Sequence, residues 1–173
     1  MSSKINVKDI LIGHVNTLKD SSGNLSRSDI FTFFISPFLI SAFGVITSFT
    51  LNKDISSLLV NFGAILTALL LSVLVLVYDQ EVKLDERTNE DSNFDIKKRI
   101  LSELYFNISY SIICSIFLIL LCLTDTAISD KNSYKNIESL IITPITIFIA
   151  INLILTMLMI VKRMHLMLTT RNT

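Results

Sequence analysis

The stretch Leu58–Val77 reads LLVNFGAILTALLLSVLVLV and contains neither a charged residue nor a histidine. Three further runs share this property: Ile30–Phe49, Leu104–Leu123 and Leu140–Val161. A helix needs roughly 20 apolar residues to cross a hydrocarbon core about 30 Å thick, and each run reaches that length. We therefore expect an all-α polytopic membrane protein with four transmembrane helices, which we call spans 1 to 4 in chain order.

The segments outside the spans are short. A cytoplasmic amphipathic segment (1–29) precedes span 1 (30–49), span 2 covers 58–77, a charged loop with a helix extension (79–103) precedes span 3 (104–123), and a tail (162–173) follows span 4 (140–161). None of these segments is large enough to bury an independent enzyme core. No phosphate loop, metal motif or dinucleotide fingerprint is present, so we expect no enzyme activity, no cofactor and no metal.

Lysine and arginine are distributed unevenly between the two sides of the spans. Four precede span 1, five lie between spans 2 and 3, and three follow span 4, whereas the other two connections hold only three. The positive-inside rule places the richer set in the cytoplasm. We expect a multi-pass protein of the bacterial inner membrane with both termini cytoplasmic and with Lys53 and Lys131 facing outward.

The N-terminal segment carries a helical pattern of its own. Four apolar residues recur there at spacings of four, four and three: Val7, Leu11, Val15 and Leu18. This stripe predicts an amphipathic helix over Lys4–Lys19. Two uses of the stripe are open, because it can lie in the lipid interface or pack on the ends of other helices, including those of a neighbouring subunit. We expect His14 at the edge of this helix.

Span 1 contains signals for its start and for a bend. Ser26 and Asp29 form an S-x-x-D capping box before the apolar run. Pro37 removes a backbone donor inside the helix, which predicts a kink. Ser36 or a neighbouring helix can satisfy the carbonyl that the proline frees. The kink serves either as a packing feature or as a hinge.

The connections predict how the helices continue. Spans 1 and 2 are joined by a short link, so we expect an antiparallel hairpin. We expect span 2 to continue past Tyr78, the helix of span 3 to begin near Asn93, and span 4 to continue through Leu168. These projections form a small cytoplasmic helical extension, with the amphipathic segment as its partner.

Small and polar residues indicate where helices associate in lipid. On span 2 they are Asn61, Ala64, Ala68 and Ser72, and on span 3 they are Asn107, Ser111, Cys114 and Ser115. On span 4, Asn152 is the deepest strongly polar residue and requires a partner on another helix, because an unpaired amide in hydrocarbon costs several kcal/mol. Each set can pack inside the four-helix unit, contact another subunit or line a pore.

Basic residues cluster where spans 3 and 4 meet the cytoplasm, at Lys97, Lys98, Arg99, Lys162 and Arg163. This placement is typical of topology signals that contact anionic membrane lipids or a protein partner. No aromatic residues are interleaved with the charges, so we expect no direct contact with nucleic acid. The absence of charge inside the spans argues against ion-coupled transport by one subunit.

Two short segments carry a resemblance to a known family. Ser28–Phe31 reads SDIF after the amphipathic segment, and Asn107–Tyr110 reads NISY at the start of span 3. Together with the chain length, the four spans and both ends inside, they resemble the membrane subunit of the two-gene Kiwa system, among the small four-span proteins of bacterial anti-phage operons. The resemblance implies a homo-oligomer that senses membrane perturbation and works with a cytosolic partner that itself binds nucleic acid.

These observations lead to a functional expectation with alternatives. We expect a non-enzymatic inner-membrane subunit, a sensor or scaffold of an anti-phage defence complex, that recruits or controls a cytosolic protein. An oligomeric channel or membrane-depolarising effector is the main alternative, because stripes of serine, threonine and asparagine can face a central axis in an oligomer. A passive assembly factor for another membrane complex is the third.

Overall fold

The computed structural model describes residues 6–19, 23–47, 49–86, 94–129 and 138–169. Within these ranges the chain is almost entirely helical, with an isolated backbone bridge between Lys19 and Leu25. Four helices are long and apolar enough to cross a membrane. The predicted fold class, an all-α polytopic protein, is confirmed.

The helices follow the predicted runs and extend beyond them. Helix α1 covers Lys8–Asn16; span 1 consists of Arg27–Ile30, a π-helical turn at Phe31–Ile35, and Ser36–Ile46; span 2 is Lys53–Glu86; span 3 is Phe94–Ser129; span 4 begins with a π-helical turn at Glu138–Ile142 and continues as Thr143–Thr169. Spans 2 and 3 contain 34 and 36 residues. At 1.5 Å per residue they are about 51 and 54 Å long, so their ends project beyond a hydrocarbon core.

Most of the predicted projections are present. Span 2 continues two turns past Tyr78, and span 4 continues to Thr169. The helix of span 3 begins at Phe94, whereas Asn93, the expected N-cap, lies outside the described residues. At its other end this helix runs to Ser129, six residues beyond the apolar run, and the Thr124 and Thr126 hydroxyls donate to carbonyls of the preceding turn.

Backbone contacts join the residues that follow α1 to the residues that precede span 1. The amide of Ser26 donates to the carbonyl of Leu18 at 3.2 Å, and Gly23 adopts a positive φ of 79°, which glycine tolerates. The Ser26 hydroxyl accepts from the amide of Asp29 at 3.4 Å and caps the helix. This tight return places α1 beside the start of span 1.

The order of packing differs from the order along the chain. Span 2 packs on span 3, span 3 on span 4, and span 4 on span 1. The packed hairpin expected between spans 1 and 2 is therefore wrong, since the close neighbour of span 1 is span 4. A short link fixes only the relative direction of two helices, whereas small residues decide which surfaces approach.

Small residues occur where span 2 packs on span 3 and where span 1 packs on span 4. A Cβ on Gly63 of span 2 would lie 2.9 Å from Ile119 of span 3. Between spans 1 and 4, Gly44 faces Ile147, and the hydroxyl of Ser41 donates to the carbonyl of Pro144 at 2.6 Å. These contacts hold spans 2 and 1 at opposite ends of the row 2–3–4–1.

Spans 1 and 4 share one local backbone feature. In each, a π-helical turn is followed immediately by an α-helical segment whose second residue is proline, Pro37 in span 1 and Pro144 in span 4. A π-helical turn inserts one residue into the helical ladder, and proline removes a donor from the next turn. Both helices therefore contain backbone carbonyls that need partners from outside their own ladder.

Candidate functional site

The site we consider functional is a buried polar network where α1 meets spans 3, 4 and 1. Helix α1 rests on span 3 through Gly13, His14 and Thr17, which are all buried. A Cβ on Gly13 would lie 2.2 Å from Cδ1 of Phe106, so the absence of a side chain permits this approach. The close contact brings the polar groups of α1 to the surface of span 3.

His14 is the central residue of the α1 contact. Its side chain is only 1% exposed, its Nδ1 lies 2.8 Å from Oδ1 of Asn107, and its ring stacks on Tyr110 with centroids 3.8 Å apart. The Thr17 hydroxyl lies 2.7 Å from the carbonyl of His14 and 2.9 Å from the same Asn107 oxygen. Our expectation that His14 lies at a helix edge is wrong, because His14 lies on the face of α1 that packs on span 3 and is buried there.

Burial changes the protonation behaviour of this histidine. Removal from water lowers the pKa of His14 from 6.5 to about 4, and the nearby positive charge of Arg163 acts in the same direction, while the hydrogen bond to Asn107 opposes both. The docked ring is therefore neutral at ordinary pH. Its Nε2 has no hydrogen-bond partner among the described residues.

Docking of α1 should weaken as the pH falls. An undocked His14 binds a proton near pH 6.5 and the docked one near 4, so docking is fully favourable above 6.5 and is lost progressively towards 4. Full protonation of His14 should reduce the free energy of docking of α1 by about 3 kcal/mol. A His165→Gln background leaves His14 as the sole histidine for an NMR titration in detergent. We expect a midpoint near 4; a midpoint at the ordinary value would contradict the buried position.

The second part of the network satisfies the carbonyl that Pro37 frees. Proline at position 37 cannot donate to the carbonyl four residues earlier, which belongs to Phe33. The amide Nδ2 of Asn152 in span 4 donates to that carbonyl at 2.8 Å, and Asn152 Oδ1 accepts from the Tyr110 hydroxyl at 2.8 Å. Asn152 of span 4 thus bonds to both span 1 and span 3. The sequence predicts that this amide has a partner on another helix, and it has partners on two.

The third part is an ion-pair cluster beside α1. Arg163 of span 4 donates to Glu103 of span 3 and, at 2.7 Å, to the carbonyl of Thr17 at the end of α1. Glu103 also accepts from Arg99 at 3.0 Å. The carbonyls at the C-terminal end of a helix carry partial negative charge, so a cation there is favourable. Arg163 therefore clamps α1 to two spans.

Several basic residues expected at the lipid surface have partners within the protein. Lys98 forms an ion pair with Asp85 across spans 2 and 3 at 2.8 Å. Arg163 is largely buried between helices, where burial of its charge requires the Glu103 carboxylate, and its predicted contact with lipid or a partner stays a prediction. The Lys162 and Lys97 side chains are exposed or partly exposed, and Lys162 stays available for anionic lipid or partner contact.

A groove of about 540 Å³ adjoins the network between α1 and the start of span 3. Its charged lining includes Asp9 and Lys19 from the N-terminal region and Arg99 and Glu103 from span 3. Both signs of charge therefore face the same groove. Gly13 and Phe106, which form the close contact between α1 and span 3, also line this groove.

The predicted packing residues fall into two groups. On span 3, Asn107, Ser111 and Ser115 are buried and Cys114 is partly buried, with the two serine hydroxyls bonded to carbonyls one turn earlier in their own helix. On span 2, by contrast, the predicted stripe is exposed on the outer surface of the unit: Asn61, Ala64, Ala68 and Ser72. This second group does not pack inside the four-helix unit.

Sequence reasoning missed one buried carboxylate at the opposite end of the unit. Asp125 is 2% exposed and its Oδ2 accepts from the Ser56 hydroxyl at 2.8 Å, whereas Oδ1 has no partner among the described residues. The residue lies two positions beyond the charge-free run, so counting charges assigned it to a solvated connection. The signal that could have found it is the run of helix-compatible residues that continues past Leu123.

No protein-family model matches this chain, and neither a curated protein nor a solved structure matches it. The family resemblance based on Ser28–Phe31 and Asn107–Tyr110 therefore stays a prediction. Asn107 and Tyr110 of the second segment belong to the site, because they bond to α1 and span 4, whereas Ser28–Phe31 only leads into the π-helical turn of span 1. The chemistry of these groups is hydrogen bonding and charge pairing between helices.

Proposed function

We propose that the protein is a non-enzymatic subunit of the bacterial inner membrane, a sensor or scaffold of an anti-phage defence complex, that recruits or controls a cytosolic protein. The observation that carries this proposal is the buried chain of contacts from the π-helical turn of span 1 to α1. It runs from the Phe33 carbonyl through Asn152 to Tyr110, and from Tyr110 by ring stacking to His14. A change in the conformation of span 1 near Phe33 would alter contacts that hold α1.

The side of the membrane follows from the distribution of basic residues. The positive-inside rule favours a cytoplasmic position for α1, for the projecting ends of spans 2, 3 and 4 and for both termini. These helices and the groove between α1 and span 3 then offer a surface to a cytosolic protein. Because charges of both signs line the groove, it suits a protein surface better than the uniformly negative backbone of a nucleic acid.

The proposed assembly is a homo-oligomer that meets through span 2. Its exposed stripe of small residues, with Asn61 near one end, is the kind of surface on which helices approach in lipid. The same stripe supports a second candidate function, an oligomeric channel or depolarising effector. The polar residues of spans 3 and 4 face the interior of each unit, so an intersubunit pore would have to be lined by span 2.

Affinity capture tests the primary proposal. Tagged protein is purified from infected and uninfected cells, together with Lys19→Glu at the groove and Arg27→Glu as a matched control at an exposed basic residue outside its lining. We expect a cytosolic protein to co-purify with the parent and the control and to be lost with Lys19→Glu. Recovery of no cytosolic protein in either state would overturn the proposal.

A membrane-potential dye separates the two candidates. A sensor or scaffold predicts that the potential of protected, infected cells stays unchanged when defence is intact. A channel predicts depolarisation that depends on this protein and that a larger side chain in the span 2 stripe, such as Ala68→Leu, abolishes. Depolarisation with that dependence would favour the channel over the sensor.

A further inference from the structure

Helix α1 has an apolar face that its contact with span 3 does not use. Gly13, His14 and Thr17 form the docked face, whereas Val7 and Leu11 are 36% and 41% exposed. The first half of the apolar stripe is therefore uncovered, whereas Leu18 at its end is buried and Val15 is partly buried. A nine-residue helix gains too little from its own backbone bonds to persist alone, so its surroundings must be considered on both faces.

The two edges of α1 lie at different levels along span 3. On one edge, Asp9 and Asn16 line the groove together with Arg99 and Glu103, which precede the charge-free run of span 3. His14, nearer the other edge, contacts Asn107 and Tyr110, which lie inside that run. Tyr110 is six residues past Leu104, about 9 Å along the helix axis.

Val7 and Leu11 belong to the deeper edge, whereas Ile12, which is 57% exposed, lines the groove beside Asp9 and Asn16. Leu11 precedes His14 by three positions and Val7 precedes it by seven, so all three lie on one side of α1. Asp9 and Asn16, at offsets of four and three from Gly13, lie on the groove side. The Val7–Leu11 edge is thus displaced towards the apolar run of span 3, and the polar edge is displaced away from it.

Span 1 provides an independent marker of the same level. The Asn152 side chain bridges the Phe33 carbonyl and the Tyr110 hydroxyl, so Phe33 lies at the depth of Tyr110. The neighbouring side chains Phe31 and Phe34 are exposed on the surface of the unit. A helix long enough to span a membrane exposes such rings to acyl chains, and this places the level of Tyr110 within the lipid.

We propose that the stripe of Val7 and Leu11 binds the acyl chains of the adjacent leaflet just below the headgroups. Helix α1 is then an interfacial helix, with one face held by span 3, one edge in lipid and one edge in water. Lys8, exposed between these edges, can extend its ammonium to lipid phosphate while its stem lies along the apolar surface. The proposal requires membrane insertion only and stands apart from any cytosolic partner.

The chain contains no tryptophan, which gives a direct test. Leu11→Trp and Asn16→Trp each introduce a single indole, on the apolar and the polar edge of α1. The full-length variants are reconstituted into phosphatidylcholine vesicles with ordinary or brominated acyl chains, and aqueous iodide is added separately. We expect brominated lipid to remove most of the Leu11→Trp emission, and iodide to quench Asn16→Trp in preference.

Two outcomes would overturn the proposal. If iodide quenches Leu11→Trp as strongly as Asn16→Trp, the stripe faces water. If neither quencher reaches Leu11→Trp, a second copy of the chain covers it. Val7→Trp provides the same measurement one turn away if the Leu11 variant does not fold, and strong quenching of Val7→Trp by brominated lipid would equally support the interfacial position.

Discussion

Replacement of Asn152 by leucine should destabilise the protein by about 1–2 kcal/mol, above the average of roughly 0.6 kcal/mol for a polar contact between membrane helices. The reason is that the change leaves two groups unpaired, the Phe33 carbonyl and the Tyr110 hydroxyl. Thermal unfolding in detergent measures the loss. Asn61→Leu is the matched control, because Asn61 is exposed on span 2 and the same substitution there should cost the isolated unit little.

The role assigned to Pro37 makes this prediction sharper. In Pro37→Ala the backbone amide of residue 37 regains its hydrogen and can donate to the Phe33 carbonyl. Asn152→Leu should then cost markedly less, with the remaining loss due to the Tyr110 hydroxyl. A double-mutant cycle measures this coupling. Equal costs of Asn152→Leu with and without Pro37 would show that the amide does not substitute for the missing backbone donor.

The proposed sensing role would use the same coupling. Asn152 bonds to the Phe33 carbonyl of span 1 and also accepts from Tyr110, which stacks on His14. A change in the angle of span 1 at Pro37 would compete with the contact that positions the ring under α1, and this competition would link the two ends of the chain of contacts energetically.

The sequence predicts the spans well because membrane insertion of a helix depends on the composition of one continuous segment. Twenty residues without charge identify a helix in lipid whatever its neighbours are. The neighbours themselves depend on surface shape, which a hydropathy pattern does not contain. Gly44 is a small residue that predicts an interface on span 1, but the sequence does not say that its neighbour is Ile147 of span 4 or that Gly63 of span 2 lies against Ile119 of span 3.

Only some residues of the candidate site could be predicted from the sequence, for a related reason. Asn107 and Asn152 attract attention because an amide in hydrocarbon demands a partner. His14 and Thr17 do not attract attention, because an amphipathic helix is recognised by its apolar stripe and these two residues lie outside it. The signal that could have identified the docked face is the run Gly13-His14 followed by Thr17, which combines a small residue with two hydrogen-bonding side chains on one side.

Replacement of Gly13 by alanine should release α1 from span 3, although alanine is the better helix former by about 1 kcal/mol. The added Cβ would lie 2.2 Å from Cδ1 of Phe106, and moving the helix outward breaks the contacts of His14 and Thr17. Hydrogen exchange of the segment 8–16 measures the release. We expect its amides to approach the exchange rates of an unfolded peptide, while those of spans 2 and 3 are unchanged.

Phe106→Ala distinguishes this steric cause from a general effect on α1. In the double variant, the space vacated by the ring accommodates the new methyl group, and the segment 8–16 should regain its protection from exchange. Lys8→Ala is the control on α1, because Lys8 is exposed and does not line the groove between α1 and span 3. If Gly13→Ala instead slows exchange in α1, helix propensity outweighs the contact, and the close approach to Phe106 does not hold α1 in place.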